Sequence, residues 1–401
     1  MVPALREEFN RNFTAAKYRQ FLQKLDEATG THIDFRVSET PCFVPKSLLD
    51  QMAQYGRQLV AQLVDNPEYR RASDATIPPQ YNVPNESPLP MFVQVDFGLV
   101  RNAHGELEPK LVELQAFPSL YGYQAAAAHQ YVESYGLLPE LGIYLSGHDD
   151  DSYWRLMRQL IVADHDPENV ILMEIDPDHQ KTLPDFLITQ HKLGIAIVDI
   201  LSLVKRGRRL FYRRKEDSRE VEVRRIYNRC IVDELERKEI TLPFDLREDF
   251  DVEWAGHPNW YFRISKFSIP YLKHPSVPKT WFLDQLGELP PDNQNHLLKP
   301  LYSFAGVGIK FAPTQADIDA IPPDQRHNYI LQERVRFEPV IQTPHGATQM
   351  EIRMMFVRPE GGELTPVLPL VRMGRGIMMG VDHNKNLEWV GGSAALAVKD
   401  A

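Results

Sequence analysis

Residues 296–309 read His296-Leu297-Leu298-Lys299-Pro300-Leu301-Tyr302-Ser303-Phe304-Ala305-Gly306-Val307-Gly308-Ile309. An apolar strand ends on a lysine, and a loop rich in small residues follows. Gly306 and Gly308 let backbone N–H groups turn toward one point and come close to an anion. Lys299 adds a point charge suited to phosphate. The stretch is not the GxxxxGK[ST] phosphate loop, because it contains no Gly-Lys-Ser/Thr. Taken alone, it also fits an ordinary β-turn.

Three other stretches carry chemistry. Ile330-Leu331-Gln332-Glu333-Arg334-Val335-Arg336-Phe337-Glu338 runs from a strand into an extended linker. Its backbone can meet an adenine edge, and Glu338 can hold ribose hydroxyls; a charged edge strand has the same composition. In Glu351-Ile352-Arg353, alternation puts Glu351 and Arg353 on one face. Arg353 and Arg372 on neighbouring strands can clamp a phosphoryl group or form cross-strand ion pairs. Near the N-terminus, Asp96 and Glu113-Leu114-Gln115 lie on two strands joined by the turn Asn102-Ala103-His104-Gly105. Two carboxylates and an amide oxygen are hard donors that suit Mg²⁺ beside substrate phosphates, or the polar face of a sheet.

Composition narrows the class. The chain has 401 residues, 43% hydrophobic and 25% charged, which fits a globular protein of roughly two to three domains. No apolar run reaches the ~18 residues of a membrane helix, and the start lacks the apolar segment of a secretory signal. Two cysteines, Cys42 and Cys230, make neither a disulfide framework nor a cysteine zinc site. A cytoplasmic location is therefore expected. The net charge of −10 argues against a nucleic-acid partner. The basic run 205–215 reads as a charged hairpin turning at Gly207, and Cys230 as core.

Periodicity predicts helices over 14–28, closed by Gly30, and over 47–65, where Ser47 and Asp50 form a capping pair. Residues 66–90 read as a polar, proline-rich connector. Strands follow over 91–97 and 110–115, then helix over 123–163. Strand 170–175, helix 182–192 and strand 195–198 form a βαβ unit, which implies a parallel sheet, with another strand over 225–231. Strands over 296–299, 329–335, 350–357 and 366–372 suggest an antiparallel sheet.

In this order the pieces resemble an ATP-grasp enzyme. Lys299, the glycine loop, Glu333 and Val335, Glu351-Ile352-Arg353, Arg372, Asn384 or Asn386, and Gly391-Gly392 follow the family sequence of motifs. The closing Asp and Glu-x-Asn lie instead near the N-terminus, as Asp96 and Glu113-Leu114-Gln115. The chain thus resembles a circularly permuted, glutathionylspermidine synthase-like ATP-grasp protein. It departs from the family at Gln115, where Asn is usual, and at the bulky Phe304.

The resemblance implies an α/β (α+β) ATP-grasp fold with a Rossmann-like substrate-side domain. Residues 1–90 would be helices and a connector completing the core, and 91–125 the metal strands. Residues 126–255 would be the Rossmann-like domain, and 256–401 the nucleotide subdomains. It implies ATP on Lys266, Lys299, Ser303, Gly306, Gly308, Gln332, Glu333, Val335 and Glu338. Magnesium would sit on Asp96, Glu113 and Gln115, with Arg353 and Arg372 acting on the phosphoryl group. Arg229 would hold a substrate carboxylate, or form an ion pair with Asp233 or Glu234. The implied activity is ADP-forming ligation of a small-molecule or peptide carboxylate to an amine or thiol through an acylphosphate. A phosphotransferase and a non-catalytic nucleotide-binding relative remain as alternatives.

Overall fold

A computed structural model describes residues 1–302, 308–380 and 384–400. The central sheet runs in the order Cys42–Pro45, Gly391–Val398, Thr365–Gly374, Gly346–Val357, Phe92–Arg101, Leu107–Gln115. The first pair is parallel and the others are antiparallel. A seventh strand, Ile341–Thr343, pairs with one end of Gly346–Val357.

Alternation separates two faces of this sheet. Val95, Phe97, Ile352, Met354, Val371 and Met373 pack with Leu49, Met52, Leu59, Val60 and Leu63 of the helix Lys46–Val64. Gly56 of that helix meets the Phe356 ring so closely that a Cβ would overlap it. Asp96, Arg353, Glu351 and Arg372 therefore fall on the opposite face. The Leu107–Gln115 strand would break this rule, since Leu111 and Leu114 both join the core. A bulge resolves it: Phe97 pairs with Leu111 and Asp96 with Glu113, leaving Val112 as the extra residue. Glu113 and Gln115 thereby join the Asp96 face.

The expected βαβ unit is present. Val170–Glu174, the helix Leu183–Leu193 and Ala196–Asp199 form it, inside a parallel sheet completed by Arg225–Asn228 and Glu253–Ala255. The helix Ala15–Thr29, capped by Thr14 and closed by Gly30 at φ +75°, also follows the pattern.

Other expectations are corrected. The antiparallel strands divide between two sheets, because His296–Pro300 and Tyr329–Glu333 form a separate small sheet with Thr280–Phe282 and Lys310–Phe311. The connector 66–90 holds a helix, Pro67–Asp74, capped by Asn66 with proline at its first position, a favoured start. Ser47 does not cap its helix; its N–H and Oγ donate to Asp400 at 2.9 and 2.7 Å. The span 123–163 is two helices, Tyr121–Tyr135 and Asp150–Ile161, broken by Gly136 at φ +61°. The strand expected over 225–231 stops at Asn228, and a short helix, Val232–Arg237, follows. Gly391-Gly392 opens the strand Gly391–Val398. Gly391 has φ +112° and lies against the Arg36 carbonyl, where no side chain fits.

The basic run folds as three antiparallel strands, Val204–Arg206, Arg209–Arg213 and Glu220–Val223, with Gly207 at φ +61°. Its charges are matched: Lys205 by Glu248, Arg206 by Glu220, Arg208 by Asp249 and Asp251. Cys230 is buried, and burial pushes its thiol pKa up.

Candidate active site

The polar face of the central sheet carries a charge cluster. Arg353 donates from Nε and Nη2 to the two carboxylate oxygens of Asp96, each at 2.7 Å. Arg372 pairs with both Asp96 and Glu351. Register explains the meeting, since Asp96 lies opposite Arg353 and Glu351 opposite Arg372. Burial alone would raise the Asp96 carboxyl, but the two guanidinium groups outweigh it and hold its pKa below the usual range. For Glu351 burial dominates, and its pKa rises. Among the described residues, one buried Arg372 donor, Nε, has no partner.

Beside this cluster opens a small cleft of about 50 Å³, walled by Glu113, Gln115, Asp233, Tyr261, Lys266 and Tyr302. Lys266 begins the 3₁₀ turn Lys266–Tyr271, which Ser265 caps. The helix Pro67–Asp74 supports that turn, as the Tyr69 hydroxyl lies 2.7 Å from Ser268 Oγ. Lys299, in the small sheet, is buried and donates from Nζ to Gln332 Oε1 at 2.5 Å. Burial lowers its pKa to about 8, Glu113 and Glu351 working against the shift and Lys266 with it. The Gln332 amide nitrogen is buried with no acceptor among the described residues.

The fold thus gathers Asp96, Glu113, Gln115, Arg353 and Arg372, and places Lys299 on Gln332. Other expected residues lie elsewhere. Glu338 accepts from Arg101 Nε at 2.8 Å, at the outer end of the Phe92–Arg101 strand. Glu333 is exposed, and its N–H donates to the Lys279 carbonyl at 2.8 Å. Val335 is half-buried in the linker beyond the strand. Ser303 and Gly306 lie outside the described residues; Gly308 has φ +77°. Asn384 is buried and donates to the Met378 and Gly380 carbonyls.

Arg229 is 2% exposed, stacked between Phe117 and Phe186 at 5.1 and 5.2 Å. It does not pair with Asp233 or Glu234. Its charged contact is Asp185 at 3.5 Å, whose oxygens already accept N–H groups from Leu120, Gly122 and Tyr123. Its Nε and Nη1 have no partner among the described residues. Phe117 packs edge-on against Tyr261, so Arg229 lies behind the cleft wall.

Tyr261 and Asp233 were not expected at the site. Burial, with Asp233 and Glu113 nearby, raises the Tyr261 pKa. Asp233 follows a parallel strand, near the carboxyl end where α/β sheets place ligands. That position was the available signal.

A magnesium ion can be tested against these donors. Among the described residues no three His, Cys, Asp or Glu side chains stand together as a ready metal cage. Glu113 faces the cleft. The Gln115 amide, turned with its oxygen toward Arg353, accepts at 3.1 and 3.3 Å. Mg²⁺ keeps several waters and takes one or two carboxylates plus phosphate oxygens. The donor set fits an ion delivered with a nucleotide.

The fold is that of a mixed α/β protein with a charged cleft where the central sheet, the small sheet and the parallel-sheet region meet. No family model matches the chain, and neither does any curated protein. A solved structure does: a glutathione synthetase-like effector, GSS30, from Globodera pallida in its apo form. The alignment covers 97% of this chain and 99% of that one, with a TM-score of 0.59 and 13% identity. The likeness is one of fold. No helix among the described residues is long and apolar enough to cross a membrane.

Proposed function

We propose that the protein is an ATP-dependent, ADP-forming ligase that joins a carboxylate to an amine or thiol, built on a circularly permuted ATP-grasp frame. The observation that carries the reading is the buried Lys299–Gln332 pair. Its lysine is buried and its amide donor has no acceptor among the described residues. A buried unpaired donor is costly, and a purine acceptor with adjoining phosphate would satisfy both groups.

In this reading Lys266 and Lys299 neutralise nucleotide phosphates. Glu113 would hold Mg²⁺, which would supply charge neutralisation at the phosphates; the Gln115 amide oxygen faces Arg353. Arg353 and Arg372 stabilise the γ-phosphoryl as a substrate carboxylate oxygen attacks it and ADP departs. The amine then attacks the acyl carbon, inorganic phosphate leaves, and the amine proton is released. Asp233, on the far wall of the cleft, suits a cationic amine. Arg229 suits a carboxylate that reaches past Phe117.

Calorimetric titration with a non-hydrolysable ATP analogue tests the reading. Micromolar, magnesium-dependent binding is expected, followed by phosphate release with suitable carboxylate–amine pairs. Glu113→Ala should abolish turnover while leaving the melting temperature unchanged. Absence of binding with and without magnesium would remove the ligase reading. A phosphorylated acceptor without phosphate release would make the protein a phosphotransferase.

A further inference from the structure

We infer that Asp96 is a positioning residue for two phosphate-binding arginines and not a ligand of the metal. The inference rests on the ligase reading and reassigns one member of the acidic set that the sequence points to. Three observations carry it. Both Asp96 oxygens are engaged, in a two-pronged contact with Arg353 at 2.7 and 2.7 Å and in a second ion pair with Arg372. A carboxylate has about four lone-pair sites, and guanidinium donors occupy three. Asp96 is also 2% exposed and is not part of the cleft wall, whereas Glu113 lines it. Finally, Arg372 is held by Asp96 on one side and Glu351 on the other, yet keeps a buried Nε donor with no partner among the described residues.

The electrostatics point the same way. A divalent cation on Asp96 would stand in contact range of two guanidinium groups, inside a region where charges are weakly screened. An anion has the opposite experience: it meets two arginines already fixed in place. Paired, hydrogen-bonded guanidinium groups lose little freedom when a phosphoryl group arrives. Asp96 therefore acts through Arg353 and Arg372, and its removal should be felt at the terminal phosphate.

The experiment uses the full chain, Mn²⁺ as the metal probe read by its paramagnetic resonance, and the non-hydrolysable ATP analogue and ADP as nucleotides. Asp96→Asn should leave the Mn²⁺ affinity of the nucleotide complex within about twofold, while weakening the ATP analogue about tenfold or more. ADP affinity should change little. A merely structural defect would weaken both nucleotides alike, and that result would overturn the positioning role. Glu113→Gln should do the reverse, weakening Mn²⁺ about tenfold or more. Loss of Mn²⁺ binding in Asp96→Asn to the same degree would make Asp96 a ligand and overturn the inference.

Arg353→Lys serves where Asp96→Asn does not fold. It breaks the two-pronged contact and leaves Asp96 with its pairing to Arg372. A metal-ligating Asp96 would then bind Mn²⁺ more tightly, which refutes the inference; unchanged Mn²⁺ affinity with weakened ATP-analogue binding supports it. Wild-type protein that binds neither nucleotide under any metal condition removes the ligase reading and the inference with it. Nucleotide binding with Asp96 acting as a ligand removes the inference alone.

Discussion

Lys299 is the residue whose environment has the clearest functional consequence. Its ordinary amine pKa would keep it charged at any physiological pH, yet burial brings it down to about 8. The free protein therefore loses this positive charge as pH rises through about 8. Affinity for the ATP analogue should fall above that value, by up to about tenfold per pH unit. Lys299→Gln should bind more weakly below pH 8 and lose the pH-dependent limb, as calorimetry across pH 6.5–9.5 would show. The stability effect has the opposite sense. Between about 8 and the ordinary lysine pKa the unfolded chain binds more protons than the folded one, so this group's contribution to stability rises with pH. Residue identity alone singled out Lys299, Arg353 and Arg372. It left open whether the arginines were clamps or ion pairs, because that depends on which carboxylate the register places opposite. Glu338 shows the same limit: nothing in its own neighbourhood of sequence announces Arg101 as its partner.

At the scale of elements, short helices position the site. The helix Pro67–Asp74 begins at Asn66, whose side chain accepts from the N–H groups of Glu68 and Tyr69 at 3.0 and 3.3 Å. Tyr69 in turn braces the turn that begins at Lys266. Asn66→Ala should cost about 1 kcal/mol. A thermal melt should show a drop of about 1–2 °C, given the small shift per kcal/mol expected of a long chain. This helix was missed as a connector because eight residues carry too little periodicity to stand out among prolines and charges. Asn66-Pro67 was nonetheless a readable start signal. The bulge at Val112 could not be read, since an extra residue in a strand looks like any other until the partner strand fixes the count.

The whole molecule is closed by its two ends. Cys42–Pro45 pairs with Gly391–Val398, and Asp400 receives the first turn of the helix Lys46–Val64. The strand Gly391–Val398 is interior to the central sheet, with neighbours on both sides. Removing residues 391–401 would strand Cys42–Pro45 and expose the buried Ala394, Ala395 and Leu396. Such a truncation should lose its near-ultraviolet circular dichroism and its cooperative melt, because the loss reaches both core faces of one sheet. A truncated chain that melted cooperatively near the full-length temperature would contradict this account.

Local pattern determined the elements whose information is local. The amphipathic helices, the βαβ unit and the turn at 102–105 rest on periodicities of 3.6 and 2 and on turn chemistry. The order of charged motifs, and the likeness it suggested, were also legible along the chain. Tertiary structure alone decided how the N-terminal ribbon joins the C-terminal strands, and hence that Asp96 meets Arg353 and Arg372. It alone divided the antiparallel strands between two sheets, buried Arg229 behind Phe117, and brought Asp233 and Tyr261 to the cleft. The physical reason is separation: Asp96 and Arg353 are 257 residues apart in sequence. Their pairing is set by strand register and by which sheet face is left for charge, and no local window contains either.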